Sequence, residues 1–214
     1  MLERRALTIT AGSILLALLS ACQQSQPTQP TQAAQKAQQA PSSELAAVRL
    51  NELGPENEAM ARSVGQWDVT ETVWDTPGAA PQVIKGLVAE RRMVGQMLQE
   101  TLRSASDPNK ILRMDYLSFN RVERRWEYVS LEMRAPVGIM TAQSYGRDKD
   151  ENIEIVFQPF AIAGPGRNAT GQMLRMRQQF IAEGPDSQRK DQYFTLADGV
   201  NDEWLAHQYL YARR

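Results

Sequence analysis

Residues 83–134 read VIKGLVAERRMVGQMLQETLRSASDPNKILRMDYLSFNRVERRWEYVSLEMR, and this stretch decides the fold. It divides into short runs rich in β-branched, aromatic and aliphatic residues, each closed by a turn signal. Val83–Val94 is closed by Gly95, and Met97–Ser106 by Asp-Pro-Asn. Leu112–Arg121 and Arg125–Arg134 are joined by Val-Glu-Arg and read as a hairpin. No 3.6-residue period runs between them. The same texture extends outward: Trp67–Asp75 before, then Met140–Tyr145, Asn152–Phe160, Met173–Ala182, Gln192–Leu196 and Trp204–Ala212 after. Asn152–Phe160 alternates cleanly, with Ile153, Ile155 and Phe157 on one face. About ten strands so closely spaced must pair antiparallel, because parallel pairing needs long crossovers. A meander of that length protects its edges most simply by closing on itself. The expectation is an all-β, about ten-stranded antiparallel up-and-down barrel, with a two-sheet sandwich as the alternative.

Upstream the pattern turns helical. Ser42-Ser43-Glu44 can cap a helix through about Leu53, with Gly54 ending it. Pro55 then takes a favoured first helical position, and Glu56–Val64 continues with acidic residues in its first turn. The segment Gln23–Ser43, QQSQPTQPTQAAQKAQQAPSS, has one charge, Lys36, and no large apolar residue. It cannot bury enough surface to offset its ordering entropy, and it is expected to be a disordered tether. The chain opens with Arg4 and Arg5 ahead of a mostly apolar run, Ala6–Leu19, too short to span a bilayer and suited to a signal peptide. Leu19-Ser20-Ala21-Cys22 resembles the bacterial lipobox, which implies cleavage before Cys22 and lipidation of its thiol. Gln23, where an inner-membrane retention signal would place Asp, favours the outer membrane facing the periplasm. The expected organisation is therefore signal peptide 1–21, lipidated Cys22 and linker 22–43, and barrel 44–214, with the membrane as a partner through the lipid.

Composition narrows the function. The 24 basic and 25 acidic residues give a formal charge of −1, or −2 once residues 1–21, with Arg4, Arg5 and Glu3, are removed. No basic stripe stands out, so nucleic acid is not an expected partner. Cys22 is the only cysteine, so the exported domain has no internal disulfide and rests on its core. With a single His and no second Cys, Cys/His catalysis and His-rich metal sites are excluded. There is no Gly-x-Ser-x-Gly elbow and no P-loop, and Gly164-Pro-Gly166 lacks phosphate-binding spacing. No catalytic residue, metal site or cofactor is assigned. Glu71, Glu90, Glu100, Asp115 and Glu127 lie on expected strands, where a paired acid/base site would need two of them to face inward.

Gly65-Gln66-Trp67 at the first strand and Tyr211-Ala212-Arg213 at the last resemble the barrel-closing features of lipocalins and related calycins. The resemblance implies that Trp67 plugs the closed end beneath the guanidinium of Arg213, beside Gly65. GPENEAMARSVGQW, GLVAERRMVGQMLQETL, DYLSFNRVERRWEYVSLE and the closing YLYAR resemble the bacterial family known as domain of unknown function 1579, which carries no established activity. Nitrobindins are similar ten-stranded barrels that bind haem through a His on the last strand. Here His207 and Tyr211 are four apart, on one face, and the offset from the nitrobindin pattern, which turns a side chain from cavity to solvent, favours a structural or exposed His207 over a haem ligand. The function expected is non-enzymatic binding of a small apolar ligand. Its candidate liners are Trp74, Met97 or Leu98, Tyr116, Trp126, Tyr128, Phe157, Met176 and Phe180. An envelope protein-interaction module, haem binding and an enzyme acting on an envelope metabolite remain as alternatives.

Overall fold

Period-two alternation governs the chain from Gly65 to Arg213, and the faces it defines become the inside and outside of a closed sheet. The computed structural model describes residues 47–50, 52–145, 152–162, 172–197 and 202–214. The expected signal peptide, Cys22, the linker and Gly164-Pro-Gly166 lie outside these residues. Residues 47–50 are helical, and α1 spans Pro55–Arg62. Eleven strands follow: β1 Gly65–Val73, β2 Gln82–Val94, β3 Met97–Ser104, β4 Asp107–Asn120, β5 Arg125–Glu132, β6 Ile139–Gln143, β7 Ile153–Phe157, β8 Phe160–Ile162, β9 Gln172–Gly184, β10 Ser187–Leu196 and β11 Trp204–Arg213.

Every pairing is antiparallel. Neighbours in sequence pair from β1 to β7; β7 pairs with β9, β9 with β10, β10 with β11, and β11 returns to β1. The ring therefore contains ten strands, and the three-residue β8 continues the line of β7 against the first residues of β9. Closure leaves no free edge in the ring, which is how a sheet this large avoids edge-to-edge pairing. The barrel, rather than the sandwich, is the architecture.

Register fixes which side chains face inward. Leu98, Glu100 and Leu102 of β3 stand opposite Met93, Arg91 and Ala89 of β2. On the other side they stand opposite Leu117, Asp115 and Arg113 of β4. Leu117 then faces Tyr128, and Phe119 faces Trp126, on β5. Two apolar clusters result. One holds Met60, Leu98, Leu117, Trp126, Tyr128, Ile155, Phe157 and Met176; the other holds Trp67, Val69, Leu87, Ala89, Leu102, Tyr209 and Tyr211.

Several boundaries differ from the sequence reading. Asp107-Pro108-Asn109 is not the turn but the start of β4; the turn is Ala105-Ser106, set by the pairing of Ser104 with Asp107. Pro108 is tolerated because it sits at the strand's first turnward residues, where ladder pairing is already irregular. The run at Asn152–Phe160 is broken after Phe157, so Phe160 begins β8. Of the helix expected from Ser42 to Leu53, residues 47–50 are helical and Glu52 and Leu53 are not, while 42–46 and 51 lie outside the described residues.

Candidate functional site

The end of the barrel that receives α1 is built around Trp67, which is fully buried. The Arg213 guanidinium lies 4.2 Å from the centre of the Trp67 ring, and that of Arg91 lies 5.1 Å from it. The indole Nε1 donates to the Ser63 carbonyl at 3.0 Å. Arg213 also donates to the carbonyls of Arg62 and Val64, at 2.7 and 2.8 Å, so the last strand satisfies the C-terminal end of α1. Gly65 has φ +134°, and a Cβ there would lie 3.0 Å from Arg213 Nη1. Helix, first strand and last strand are thus tied together at one point by residues that only a small, left-handed position admits.

Beside this tie, and bordered by α1, the barrel holds a cavity of about 1450 Å³. Its wall is apolar: Met60, Leu98, Leu117, Phe119, Trp126, Ile153 and Phe180. Its floor is ionic. Arg91, Glu100, Asp115, Lys190 and Tyr211 line it, with Arg113 directly behind. Arg91 Nε donates to Glu100 at 2.8 Å, Arg113 Nη2 to Glu100 at 3.2 Å and the Tyr211 hydroxyl to Glu100 at 3.0 Å. Arg113 Nε lies 2.9 Å from Asp115, an ion pair without the alignment of a hydrogen bond. Ser130 donates to Asp115 at 2.6 Å. Lys190, 1% exposed, reaches Glu100 at 3.4 Å and Asp115 at 3.3 Å, with the Tyr209 ring 4.9 Å away.

Burial alone would raise the Glu100 carboxyl, but the charges of Lys190, Arg91 and Arg113 outweigh it and hold it well below the usual carboxylate range. Burial pushes the Tyr128, Tyr209 and Tyr211 hydroxyls up, so all three stay neutral. Three cations, Arg91, Arg113 and Lys190, therefore face two carboxylates at the floor. At the cavity mouth stand Arg62, Arg124, Arg189 and Arg213 against Glu56 and Asp186.

A second ionic group lies further along the interior. Glu71, 1% exposed, accepts from Arg134 at 2.5 Å and sits 3.0 Å from His207 Nδ1. Burial opposes its ionisation, yet the hydrogen bond with His207 and the charge of Arg134 hold it well below the ordinary range. His207 is stacked on Tyr209 and pairs in register with Gln192 and Val73, on the same inward face as Tyr211. Of the structural and exposed places that strand parity left for His207, the structure gives the structural one and corrects the turn to solvent: the inward face of β11 carries the odd-numbered residues, Tyr211 included.

Of the candidate liners, Trp126, Tyr128, Phe180 and Leu98 border the cavity. Phe157 and Met176 are buried in the adjoining apolar cluster. Met97 faces outward and is 39% exposed. Tyr116 stands on the opposite face of β4, across from Gln99 and Val129, and is not a cavity residue. Trp74 lies just past β1, its N–H donating to Ala206 and its carbonyl accepting from Trp204. Among the carboxylates, Glu71, Glu100 and Asp115 face inward, whereas Glu90 pairs with Arg103 and Glu127 with Asn120 on the exposed side. The sequence reading missed Arg91, Arg113 and Lys190. Their signal was available only through register, since Arg91 alternates with the inward Ala89 and Met93.

Among the described residues no group of three or more His, Cys, Asp or Glu side chains could hold a metal ion, and no helix is long and apolar enough to cross a membrane. No protein-family model matches the chain, and no curated protein matches it. Among solved structures, one described as "Structure of EF1p2_mFAP2b bound to DFHBI" is 11% identical over 74% of this chain and 98% of that one, with a TM-score of 0.28. A likeness of that order adds nothing to the geometry above.

Proposed function

We propose that the chain is a lipid-anchored envelope protein whose barrel binds a small molecule with an apolar body, without catalysing a reaction on it. The observation that carries the reading is the cavity of about 1450 Å³ with its wall of Leu98, Leu117, Phe119, Trp126 and Phe180. Interiors are normally packed to crystal density, so a void of this size lined by apolar side chains is costly unless something fills it. Binding pockets combine an apolar surface with placed polar groups, and here the apolar wall stands between an ionic floor and a charged mouth. The anchor rests on Leu19-Ser20-Ala21-Cys22 and the apolar run before it.

The uncharged fluorophore N-phenyl-1-naphthylamine tests the cavity. The full chain carrying Cys22→Ser should bind it with one-to-one stoichiometry, and Leu117→Trp, which fills the wall, should weaken it at least tenfold. A flat titration in both proteins would leave the interaction-module reading in its place. The anchor has its own check. The expressed protein should incorporate labelled palmitate and Cys22→Ser should abolish that incorporation; an unlabelled parent protein, or a variant that is still labelled, would remove lipidation at Cys22 from the account.

A further inference from the structure

The cavity floor joins two observations that a purely apolar ligand does not explain. The first is charge. Arg91, Arg113 and Lys190 surround Glu100 and Asp115, all with side chains under a tenth exposed, so the cluster carries one positive charge more than it balances. The neighbouring tyrosines cannot supply the missing anion, because burial keeps their hydroxyls protonated. An uncompensated buried cation is among the most expensive groups a protein can hold. The second is geometry. An ammonium has three N–H donors. That of Lys190 sits 3.3 and 3.4 Å from its two carboxylates, longer than the 2.7–2.9 Å usual for charge-assisted bonds, and it borders the open cavity.

The layers above the floor are apolar. One pair along the strands lies the Leu98, Leu117, Tyr128 layer, and one pair further the Phe119, Trp126 layer, beneath Met60 of α1. Successive inward pairs along a strand are separated by roughly 6.6 Å, so an extended chain of several methylenes fits between floor and helix.

We propose that the occupant is an amphiphile with a single acidic group, its carboxylate on Lys190 and Arg91 and its alkyl chain among Leu98, Leu117, Trp126 and Phe180. This rests on the binding reading above and names the ligand's chemical class. The acid enters first and the tail ends under α1. A neutral head leaves the surplus charge uncompensated, whereas a monocarboxylate balances it.

Calorimetric titration of the full Cys22→Ser chain with decanoate and with decanol separates the two claims. Decanoate should bind on the order of tenfold tighter or better, the gain expected of a desolvated charge-assisted bond. Lys190→Met should abolish that preference while keeping decanol affinity. Gln188→Glu is the milder variant: the Gln188 side-chain oxygen already accepts from Arg91 Nη1, so a carboxylate there supplies the missing anion with almost no change of shape. It too should abolish the preference. Equal affinity for the two probes, a preference for decanol, or a preference that survives Gln188→Glu overturns the acidic-head proposal and leaves the binding barrel standing. If neither probe binds, the binding reading falls and this proposal with it.

Discussion

Arg213 shows how one side chain can close a barrel. Its guanidinium covers the Trp67 ring, caps the carbonyls of Arg62 and Val64, and reaches Asp186 at 3.1 Å in the β9–β10 turn. The planar fork is what allows stacking and hydrogen bonding at once, which a lysine ammonium cannot reproduce. Gly65 is the complement to it, since φ +134° is open to glycine and a Cβ would press on Arg213 Nη1. Gly65→Ala should therefore destabilise the protein by about 2 kcal/mol, in the range for a residue held in a disfavoured backbone region. Urea unfolding measures this. Repeated in an Arg213→Ala background, the cost should shrink to the backbone strain alone. Gly65→Ala with an unchanged midpoint would mean that neither the strain nor the crowding is real.

At the scale of elements, the sequence exposed what is local and periodic. The alternation of Leu98, Glu100 and Leu102 on β3, or of Trp126, Tyr128 and Ser130 on β5, is visible as text, so strand number, antiparallel order and closure could be read. Turn chemistry was less legible. The Asp-Pro-Asn signal is a strong turn pattern, but the pairing of Ser104 with Asp107 moved the turn two residues upstream. Phase was the hardest to read. Tyr116 and Tyr128 look alike in composition, yet register puts one on the outer face against Gln99 and the other against Leu117 inside. The inward charges share this cause. Nothing local marks Lys190 as buried; it faces inward because it pairs with Phe180 on one side and Tyr209 on the other. The apolar wall was therefore partly readable, whereas the ionic floor emerged only from strands distant in sequence.

For the whole molecule, the interior charges make stability a function of pH, and the sign follows from the direction of each shift. Glu71 and Glu100 are held below their ordinary value of 4.5 in the folded state. Unfolded, they take up protons as pH falls through that value while the folded protein does not. Their contribution is thus fully present above about pH 5 and is lost progressively below it, each unit of depression being worth about 1.4 kcal/mol. Tyr128, Tyr209 and Tyr211 act with the opposite sign, because burial raises them above 10.0. Their contribution is complete below that value and fades as pH rises past it. The expected profile is a plateau between roughly pH 5 and 9 with a fall on both sides. Urea midpoints taken from pH 3 to 11 would trace it. Glu100→Gln separates this cause from general acid denaturation. It leaves three buried cations with one carboxylate and should cost about 3–5 kcal/mol at pH 7, as for the breaking of other buried ion pairs. The same variant should make the acid limb shallower, since Glu100's share of it has been removed and only that of Glu71 remains. A midpoint that rises toward pH 3, or an acid limb equally steep in Glu100→Gln, would place the pH dependence outside the barrel's ionic floor.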